Sequence, residues 1–334
     1  MKNPSSSLQQ GLIFDVAGIG NAIVDVLSFV DEAFLARQDL IKGTMTLVDE
    51  HRADDLYRQM GPATECSGGS VANSLAGMAS LGAKTAFIGK VKNDQLGGIF
   101  THDLHAVGVD FSTSMLARGP STASCFVYVT PDAQRTMATY IGACSRVSEA
   151  DIDAKIIESA AVTYIEGYLW DTETAKAAIR KAVALAHKAG RKVAFTLSDV
   201  FCVDRHRETF LQLIARDIDI LFANEAELKS LYQTQDMAAA MAELRDLCRL
   251  AVVTRSEKGC MVLTKDAVEE VPAQKIGRVI DTTGAGDLFA SGFLYGLTRN
   301  QDLKSCAELG NRCAGEIIQQ LGARSMRPLK ELVA

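Results

Sequence analysis

The chain of 334 residues contains no continuous apolar stretch of the roughly 20 residues that a membrane-spanning helix needs. Its charged residues form no long run of one sign, and the formal net charge is −6. A nucleic-acid-binding surface requires clustered basic residues, so this charge pattern argues against a nucleic-acid partner. We therefore expect neither a membrane nor a nucleic acid among the partners of this protein.

The sequence also lacks a CxxC pair, an internal repeat and a Pro-rich linker. Its 8 cysteines are scattered, which is typical of reduced core residues in a cytosolic chain. Residues 1–10 are polar and Ser-rich, without the apolar core of a signal peptide. We therefore predict a flexible tail at residues 1–10 and a cytoplasmic protein.

Predicted strands and helices alternate through the second half of the chain. The predicted strands are 162–166, 192–197, 218–223 and 251–254, and the predicted helices include 172–189, 204–215, 287–297 and 303–321. This alternation implies an α/β fold in which helices cover both faces of a mostly parallel sheet. Ligands bind such sheets at the C-terminal ends of the strands.

A second, smaller sheet is predicted in the first half of the chain. Four segments are rich in β-formers: 22–30, 44–48, 125–130 and 136–141. Pro131 and Asp132 separate the last two segments and indicate a turn.

The strongest chemical signal is the run Asp281-Thr282-Thr283-Gly284-Ala285-Gly286-Asp287, directly before an apolar helical pattern. A glycine turn that opens a helix leaves backbone N–H groups unpaired, and the helix dipole favours an anion there. These amides suit a phosphoryl group in transfer, and Asp287 can accept a proton from an attacking hydroxyl. For a lone GxGD match, an ordinary glycine turn would be the better interpretation. The run matches neither GxxxxGK[ST] nor GxGxxG, whose third glycine would fall at Phe289.

Polar residues near the N-terminus suit a sugar. Asp25 follows the first predicted strand, where its carboxylate can accept hydrogen bonds from two neighbouring hydroxyls. Gly68 and Gly69 let a ligand approach the backbone closely, and Asn73 can bond a sugar hydroxyl. The structural alternatives are a turn aspartate and a tight loop that packs a helix against the sheet.

Asn224 and Glu227 follow another predicted strand and occupy positions i and i+3 of a helix. Glu227 can hold Mg²⁺ through water molecules, because Mg²⁺ keeps much of its hydration. The alternative is an exposed capping pair at the start of the helix.

Together these motifs resemble the ribokinase-like sugar and nucleoside kinases, the PfkB family, over nearly the whole chain. The resemblance rests on four segments in the family's order: 20–25 (GN-x-x-x-D), 67–73, 224–227 (N-x-x-E) and 281–287. It implies a ribokinase-like three-layer α/β sandwich with a central, mostly parallel sheet and a small β-sheet lid. A single kinase domain is expected over 11–334, with the lid formed from about 22–50 and 111–142.

The resemblance also implies residue roles, with ATP and Mg²⁺ as cofactors. Catalysis is expected at Asp287, Gly284, Ala285, Gly286 and Arg135. The substrate is expected at Asp25, Asn21, Gly68, Gly69 and Asn73. The nucleotide is expected at Asn224, Thr254, Gly259, Asn311 and Gly315, although Ser256 replaces a glycine that is usual in the family. Glu227 is the expected magnesium residue, and Asp281 and Thr283, with their backbone carbonyls, are candidates for the K⁺ site that many relatives possess.

Three segments resemble the adenosine kinase branch of the family: Gly20-Asn21, 132–137 with Arg135, and 166–171. We therefore expect transfer of the γ-phosphoryl group of ATP to the 5′-hydroxyl of adenosine, giving AMP, with a purine slot formed by Phe126, Tyr128 or Met137. A ribokinase- or fructokinase-like sugar kinase and a non-catalytic nucleoside sensor are the alternatives. Both a monomer and a homodimer are compatible with the sequence.

Overall fold

The computed structural model describes residues 11–132 and 134–333, so the tail predicted at 1–10 lies outside the described residues. The strands in these residues are β1 (Phe14–Ile19), β2 (Ile23–Phe29), β3 (Met45–Leu47), β4 (Thr64–Ser67), β5 (Thr85–Ile88), β6 (Val109–Asp110), β7 (Ala123–Val129), β8 (Arg135–Tyr140), β9 (Ala160–Glu166), β10 (Lys192–Thr196), β11 (Ile220–Asn224), β12 (Leu250–Thr254), β13 (Cys260–Thr264) and β14 (Val268–Val271).

The helices in the same residues are α1 (Glu32–Arg37), α2 (Glu50–Gln59), α3 (Ser70–Leu81), α4 (Gln95–Ala106), α5 (Ala154–Glu158), α6 (Glu173–Lys188), α7 (Val200–Asp217), α8 (Glu225–Leu231), α9 (Met237–Leu247), α10 (Ala285–Thr298) and α11 (Leu303–Ile317). None of them combines the length and hydropathy of a membrane-spanning helix.

A nine-stranded sheet forms the centre of the molecule, in the order β14-β13-β12-β11-β10-β9-β1-β5-β6. Its pairs are parallel from β6 to β12, whereas β12, β13 and β14 are antiparallel. Neighbouring side chains of a strand point to opposite faces, and both faces are buried. Val16 belongs to the core cluster that includes residues of α3, α4, α10 and α11, whereas Ala17 belongs to the cluster that includes residues of α5–α9. The result is the predicted three-layer α/β sandwich.

The second sheet has five strands in the order β3-β8-β7-β2-β4. All four segments predicted for the small sheet lie in it, and β4 is an additional member. Helices α1 and α2 pack against one face of this sheet, where Phe34 contacts Tyr128 and Tyr57 contacts Phe126. Asp25 lies on the opposite face of the sheet, which points toward the interior of the molecule.

The observed helix boundaries show which helices could be predicted from local sequence signals. The predicted helices 172–189 and 287–297 correspond to α6 and α10, with Thr172 accepting a hydrogen bond as the N-cap of α6. The helix predicted at 303–321 is wrong at its end, because α11 stops at Ile317 and a turn follows. Helices α1 and α2 were not predicted. They are short and bury only two residues each, so their apolar pattern is weak.

Candidate functional site

Two cavities meet at the C-terminal edge of the large sheet. The smaller, of about 310 Å³, lies under the small sheet, and the larger, of about 760 Å³, lies between the ends of β11 and β12 and helices α10 and α11. Four residues line both cavities: Ser70, Ser198, Gly284 and Asp287. The junction therefore coincides with the start of α10, so a group bound in one cavity can meet a group bound in the other.

Asp287 lies in the first turn of α10, at this junction. Ser70 Oγ donates a 2.7 Å hydrogen bond to its Oδ1, and Asn73 Nδ2 donates a 2.9 Å hydrogen bond to its Oδ2. Burial raises the pKa of Asp287 above its ordinary value, and the two donors oppose this increase. The carboxylate is thus fixed in orientation and has more affinity for a proton than an exposed aspartate.

The turn before Asp287 presents free backbone donors. Gly284 has φ +75°, and a Cβ atom there would lie 2.8 Å from the Cβ of Ala323, so glycine is required. In the described residues, the N–H groups of Gly284, Gly286 and Asp287 have no hydrogen-bond acceptor, while that of Ala285 donates to Thr282 O at 3.2 Å. Three unpaired amides at the positive end of a helix are an arrangement that can bind an anion.

Glycines allow the start of α3 to approach the first strands. A Cβ atom on Gly68 would lie 2.5 Å from Asp25 Oδ2, and one on Gly69 would lie 2.3 Å from Asn21 O. Asn21, Gly68, Gly69 and Asn73 do not line either cavity. Two of them contact side chains that do: Gly68 lies against the Asp25 carboxylate, and Asn73 donates to Asp287.

Asp25 lies on the wall of the smaller cavity. Burial, opposed by Arg324 and Arg135, raises its pKa to about 7. In the strand register Asp25 stands between Cys66 of β4 and Cys125 of β7, and these three side chains line the cavity together. One carboxylate is therefore flanked by two small thiol groups, which leave space for a ligand beside it.

A row of apolar side chains lies next to Asp25 on the same sheet face. Leu27 pairs with Val127, and Val127 pairs with Met137, so the row crosses β2, β7 and β8. All three residues line the smaller cavity. Of the three residues expected to form the purine slot, only Met137 lies on this face. The expectation for Phe126 and Tyr128 is wrong, because both point to the opposite face, under α1 and α2.

Two charged residues of the site were not predicted from the sequence. Glu166 is fully buried at the end of β9, and its carboxylate accepts the N–H groups of Asn21 at 2.8 Å and Val71 at 3.0 Å. Burial raises its pKa to about 7. Arg324 lines the smaller cavity and donates to the backbone oxygens of Ser67 and Ala72. No motif marks Arg324, because its relation to Asp25 arises only from tertiary contacts.

The larger cavity collects the residues expected to bind a nucleotide: Asn224, Thr254, Gly259, Asn311 and Gly315 all line it. Asn311 donates from Nδ2 to Pro272 O at 3.0 Å, so its amide also fixes the segment after β14. Ser256, which stands where the family usually has glycine, adopts φ +52°. This left-handed conformation is one that glycine adopts without strain.

Asn224 and Glu227 form a reciprocal cap at the start of α8. Asn224 N donates to Glu227 Oε2 at 2.9 Å, and Glu227 N donates to Asn224 Oδ1 at 2.8 Å. The pair caps the helix, yet Glu227 is 5% exposed and lines the larger cavity. Burial raises its pKa to about 7, and the nearby charge of Asp199 adds to this effect. No Lys or Arg of the described residues forms an ion pair with Glu227, so its negative charge is available to a cation.

Asp281 and Thr283 are engaged by protein groups. Thr283 N donates to Asp281 Oδ1 at 2.9 Å, and Gly322 N donates to Asp281 Oδ2 at 2.7 Å. Arg135, from β8 of the small sheet, forms an ion pair with Asp281 and donates a hydrogen bond to Thr283 Oγ1. Within residues 11–132 and 134–333, no group of three or more His, Cys, Asp or Glu side chains is arranged to hold a metal ion.

The model of the pfkB family carbohydrate kinases matches residues 44–330 of this chain. The chain belongs to this family. A probable sugar kinase protein from Rhizobium etli CFN 42 is 48% identical, with a TM-score of 0.91 over 96% of this chain and 97% of that one. The adenosine kinase from Sinorhizobium meliloti is 47% identical, with a TM-score of 0.91 over 96% of this chain and 98% of that one.

More distant curated relatives are named as sugar kinases. Probable fructokinase-6, chloroplastic, from Arabidopsis thaliana is 30% identical over 80% of this chain and 73% of its own length. This chain is therefore a carbohydrate or nucleoside kinase with the ribokinase-like fold, that is, a phosphotransferase. Kinases of this family use ATP and usually Mg²⁺.

Proposed function

We propose that this protein transfers the γ-phosphoryl group of ATP to the 5′-hydroxyl of adenosine, giving AMP and ADP. The observation that carries the proposal is the apolar row Leu27–Val127–Met137 beside Asp25 in the smaller cavity. The 47% identity to the Sinorhizobium meliloti adenosine kinase supports the same choice.

The spacing between Asp25 and the apolar row suits a nucleoside. Leu27 lies two residues beyond Asp25 on β2, which corresponds to about 7 Å along a strand. Asp25 would accept hydrogen bonds from the two ribose hydroxyls, and the row would pack against the purine. A free sugar would instead place hydroxyl groups against the apolar side chains of Leu27, Val127 and Met137, which cannot form hydrogen bonds with them.

Asp287 is the proposed base. In an in-line transfer, the 5′-oxygen forms a bond to the γ-phosphorus while the bond to the β,γ-bridging oxygen breaks, and ADP leaves with that electron pair. The hydroxyl proton passes to the Asp287 carboxylate, which Ser70 and Asn73 hold in position. In this proposal Asn73 and Gly68 shape the substrate site through their contacts with Asp287 and Asp25, while Asn21 and Gly69 hold the loop before α3 against the end of β1.

The charge that develops on the phosphoryl group would be stabilised by the start of α10. The free amides of Gly284, Gly286 and Asp287 would donate to the phosphoryl oxygens, and Ala285 closes the turn. Arg135 adds a positive charge from the small sheet, which we propose acts as a lid that excludes water after both substrates are bound. In this proposal the lid comprises about 22–50 and 111–142.

The nucleotide would occupy the larger cavity, beside Asn224, Thr254, Gly259, Asn311 and Gly315. Glu227 fits a magnesium role, because its carboxylate lies on the wall of this cavity without an ion-pair partner among the described residues and Mg²⁺ prefers oxygen ligands. Bound Mg²⁺ would neutralise phosphate charge, and Glu227 would hold it through water molecules.

A sugar kinase is the second candidate, because relatives named as fructokinases cover most of the chain. Release of ADP from Mg·ATP, measured with adenosine, inosine, guanosine, ribose and fructose as single acceptors, separates the candidates. Turnover with adenosine at micromolar concentration supports the proposal. Turnover with a free sugar alone would replace adenosine and keep the Asp287 chemistry. Binding of a nucleoside without ADP release would favour a sensor.

A further inference from the structure

The loop that precedes α10 contains a buried negative charge next to the anion-binding amides. The Asp281 side chain is 3% exposed, and it lies three residues before Gly284. A buried carboxylate close to a site for a phosphoryl group opposes the binding of that group unless a cation compensates its charge. Some cation is therefore needed at the 281–283 loop.

Arg135 supplies a cation at this position. It lies on β8, 146 residues before Asp281, and its side chain is 13% exposed. Nη2 donates to Asp281 Oδ2 and Nη1 donates to Thr283 Oγ1, so one guanidinium bridges both side chains. Since a guanidinium has five N–H donors, others remain for a phosphoryl oxygen in the smaller cavity, which Arg135 also lines.

The same contacts leave no side-chain oxygen of Asp281 or Thr283 free for a monovalent metal ion. Both Asp281 oxygens and the Thr283 hydroxyl already accept hydrogen bonds, from Thr283 N, Gly322 N and Arg135. A K⁺ ion on these oxygens would lie in contact with a guanidinium of the same charge. Moving Arg135 aside would leave this guanidinium without its ion-pair partner, Asp281. A K⁺ site that uses the side chains of Asp281 and Thr283 therefore does not fit this chain.

We propose that the guanidinium of Arg135 takes the place of a monovalent cation at the 281–283 loop, so that this kinase orders the loop and transfers the phosphoryl group without K⁺. Attachment of the small sheet and ordering of the anion-binding turn are then one event, because a single side chain does both. This inference rests on the proposed phosphoryl transfer, but it also predicts an effect on stability that requires no substrate.

The first test compares wild-type protein in K⁺, Na⁺ and choline buffers of equal ionic strength, which holds general salt screening constant. We expect kcat and Tm to be the same in all three buffers within error. An increase of several-fold in kcat, or of several degrees in Tm, in K⁺ relative to choline would overturn the inference.

The second test removes the internal cation. Arg135→Ala leaves Asp281 buried without its partner, and a small cation can then bind in the space. In choline buffer we expect kcat at least about tenfold below wild type. Millimolar K⁺ or guanidinium should raise both kcat and Tm. Absence of any cation response in this variant would count against the inference.

A double variant controls for general effects of the substitution. Arg135→Ala combined with Asp281→Asn removes both charges, so its Tm should not respond to K⁺ or guanidinium and should remain measurable if the single variant folds poorly. An equal response in the double variant would show that the cation acts elsewhere. Tm is measured without an acceptor. If no acceptor is phosphorylated, the proposed function is overturned, and the response of Tm to cations still tests this inference.

Discussion

Asn73 Nδ2 donates a 2.9 Å hydrogen bond to Asp287 Oδ2, although the two residues are 214 positions apart. Each residue lies in the first turn of its helix, α3 or α10, and the two helices pack against each other. The contact joins the glycine loop beside Asp25 to the glycine turn at which the phosphoryl group is proposed to bind. The proposed acceptor site and the proposed base are therefore positioned by one pair of packed helices.

Asp287→Asn should remove the proposed base and leave the cavities intact. Because asparagine cannot accept the hydroxyl proton, we expect kcat to fall by about 10²–10⁴-fold, with ATP affinity unchanged within error. Steady-state kinetics and calorimetry with ATP measure the two effects. Asp302→Asn is the matched control, since Asp302 only caps α11 and should tolerate the change. Near-normal turnover by Asp287→Asn would refute the assignment of the base.

Ser70→Ala should change the pH dependence of the reaction. Loss of the 2.7 Å hydrogen bond to Asp287 removes a donor that lowers the pKa of this carboxyl group. The base must be ionised, so the acid limb of kcat/KM should move to higher pH, by about one unit. Ser74→Ala, in the next turn of α3, is the control and should leave the limb in place. An unchanged limb in Ser70→Ala would show that Asp287 does not titrate in the reaction.

Local sequence patterns predicted the parts of the site that are local in the chain. The turn at Gly284 and the start of α10 follow from a glycine-containing run before an apolar helical pattern. The cap formed by Asn224 and Glu227 follows in the same way, because its hydrogen bonds join residues three positions apart. The large sheet was predictable because its strands are continuous apolar runs separated by amphipathic helices.

Contacts between distant segments were not predictable from one sequence. The neighbours of Asp25 depend on strand register, which places Cys66 and Cys125 beside it. The same register directs Phe126 and Tyr128 away from the cavity, contrary to expectation. Likewise, nothing in the sequence around 135 specifies that its arginine will pair with Asp281.

Met137→Ser tests the proposed purine slot. Loss of an apolar contact should weaken adenosine binding by roughly 1.5–3 kcal/mol, so KM should rise at least about tenfold. We expect kcat to change little, because the contact is the same in the ground state and the transition state. Met326→Ser is a matched surface control, since Met326 is 80% exposed. An unchanged KM for adenosine would show that the purine ring does not bind against Met137.

Asp25→Asn should stabilise the ligand-free protein at alkaline pH. The pKa of Asp25 is about 7 in the folded protein, against an ordinary value of 3.8, so the folded state binds the proton more tightly. The proton bound to Asp25 stabilises the folded state fully below the ordinary pKa, and this stabilisation is lost as the pH rises through about 7. The Tm difference between Asp25→Asn and wild type should therefore be larger at pH 8 than at pH 5, by at least about 2 °C. A difference independent of pH would contradict a raised pKa.

Competition between two acceptors tests the central claim most directly. Wild-type protein is given Mg·ATP with equal concentrations of adenosine and fructose, and the phosphorylated products are quantified by mass spectrometry, so that their ratio reports the ratio of kcat/KM values. If the apolar row beside Asp25 binds a purine, AMP should exceed fructose phosphate by at least about a hundredfold. A product mixture dominated by fructose phosphate would contradict the account and identify a free sugar as the acceptor.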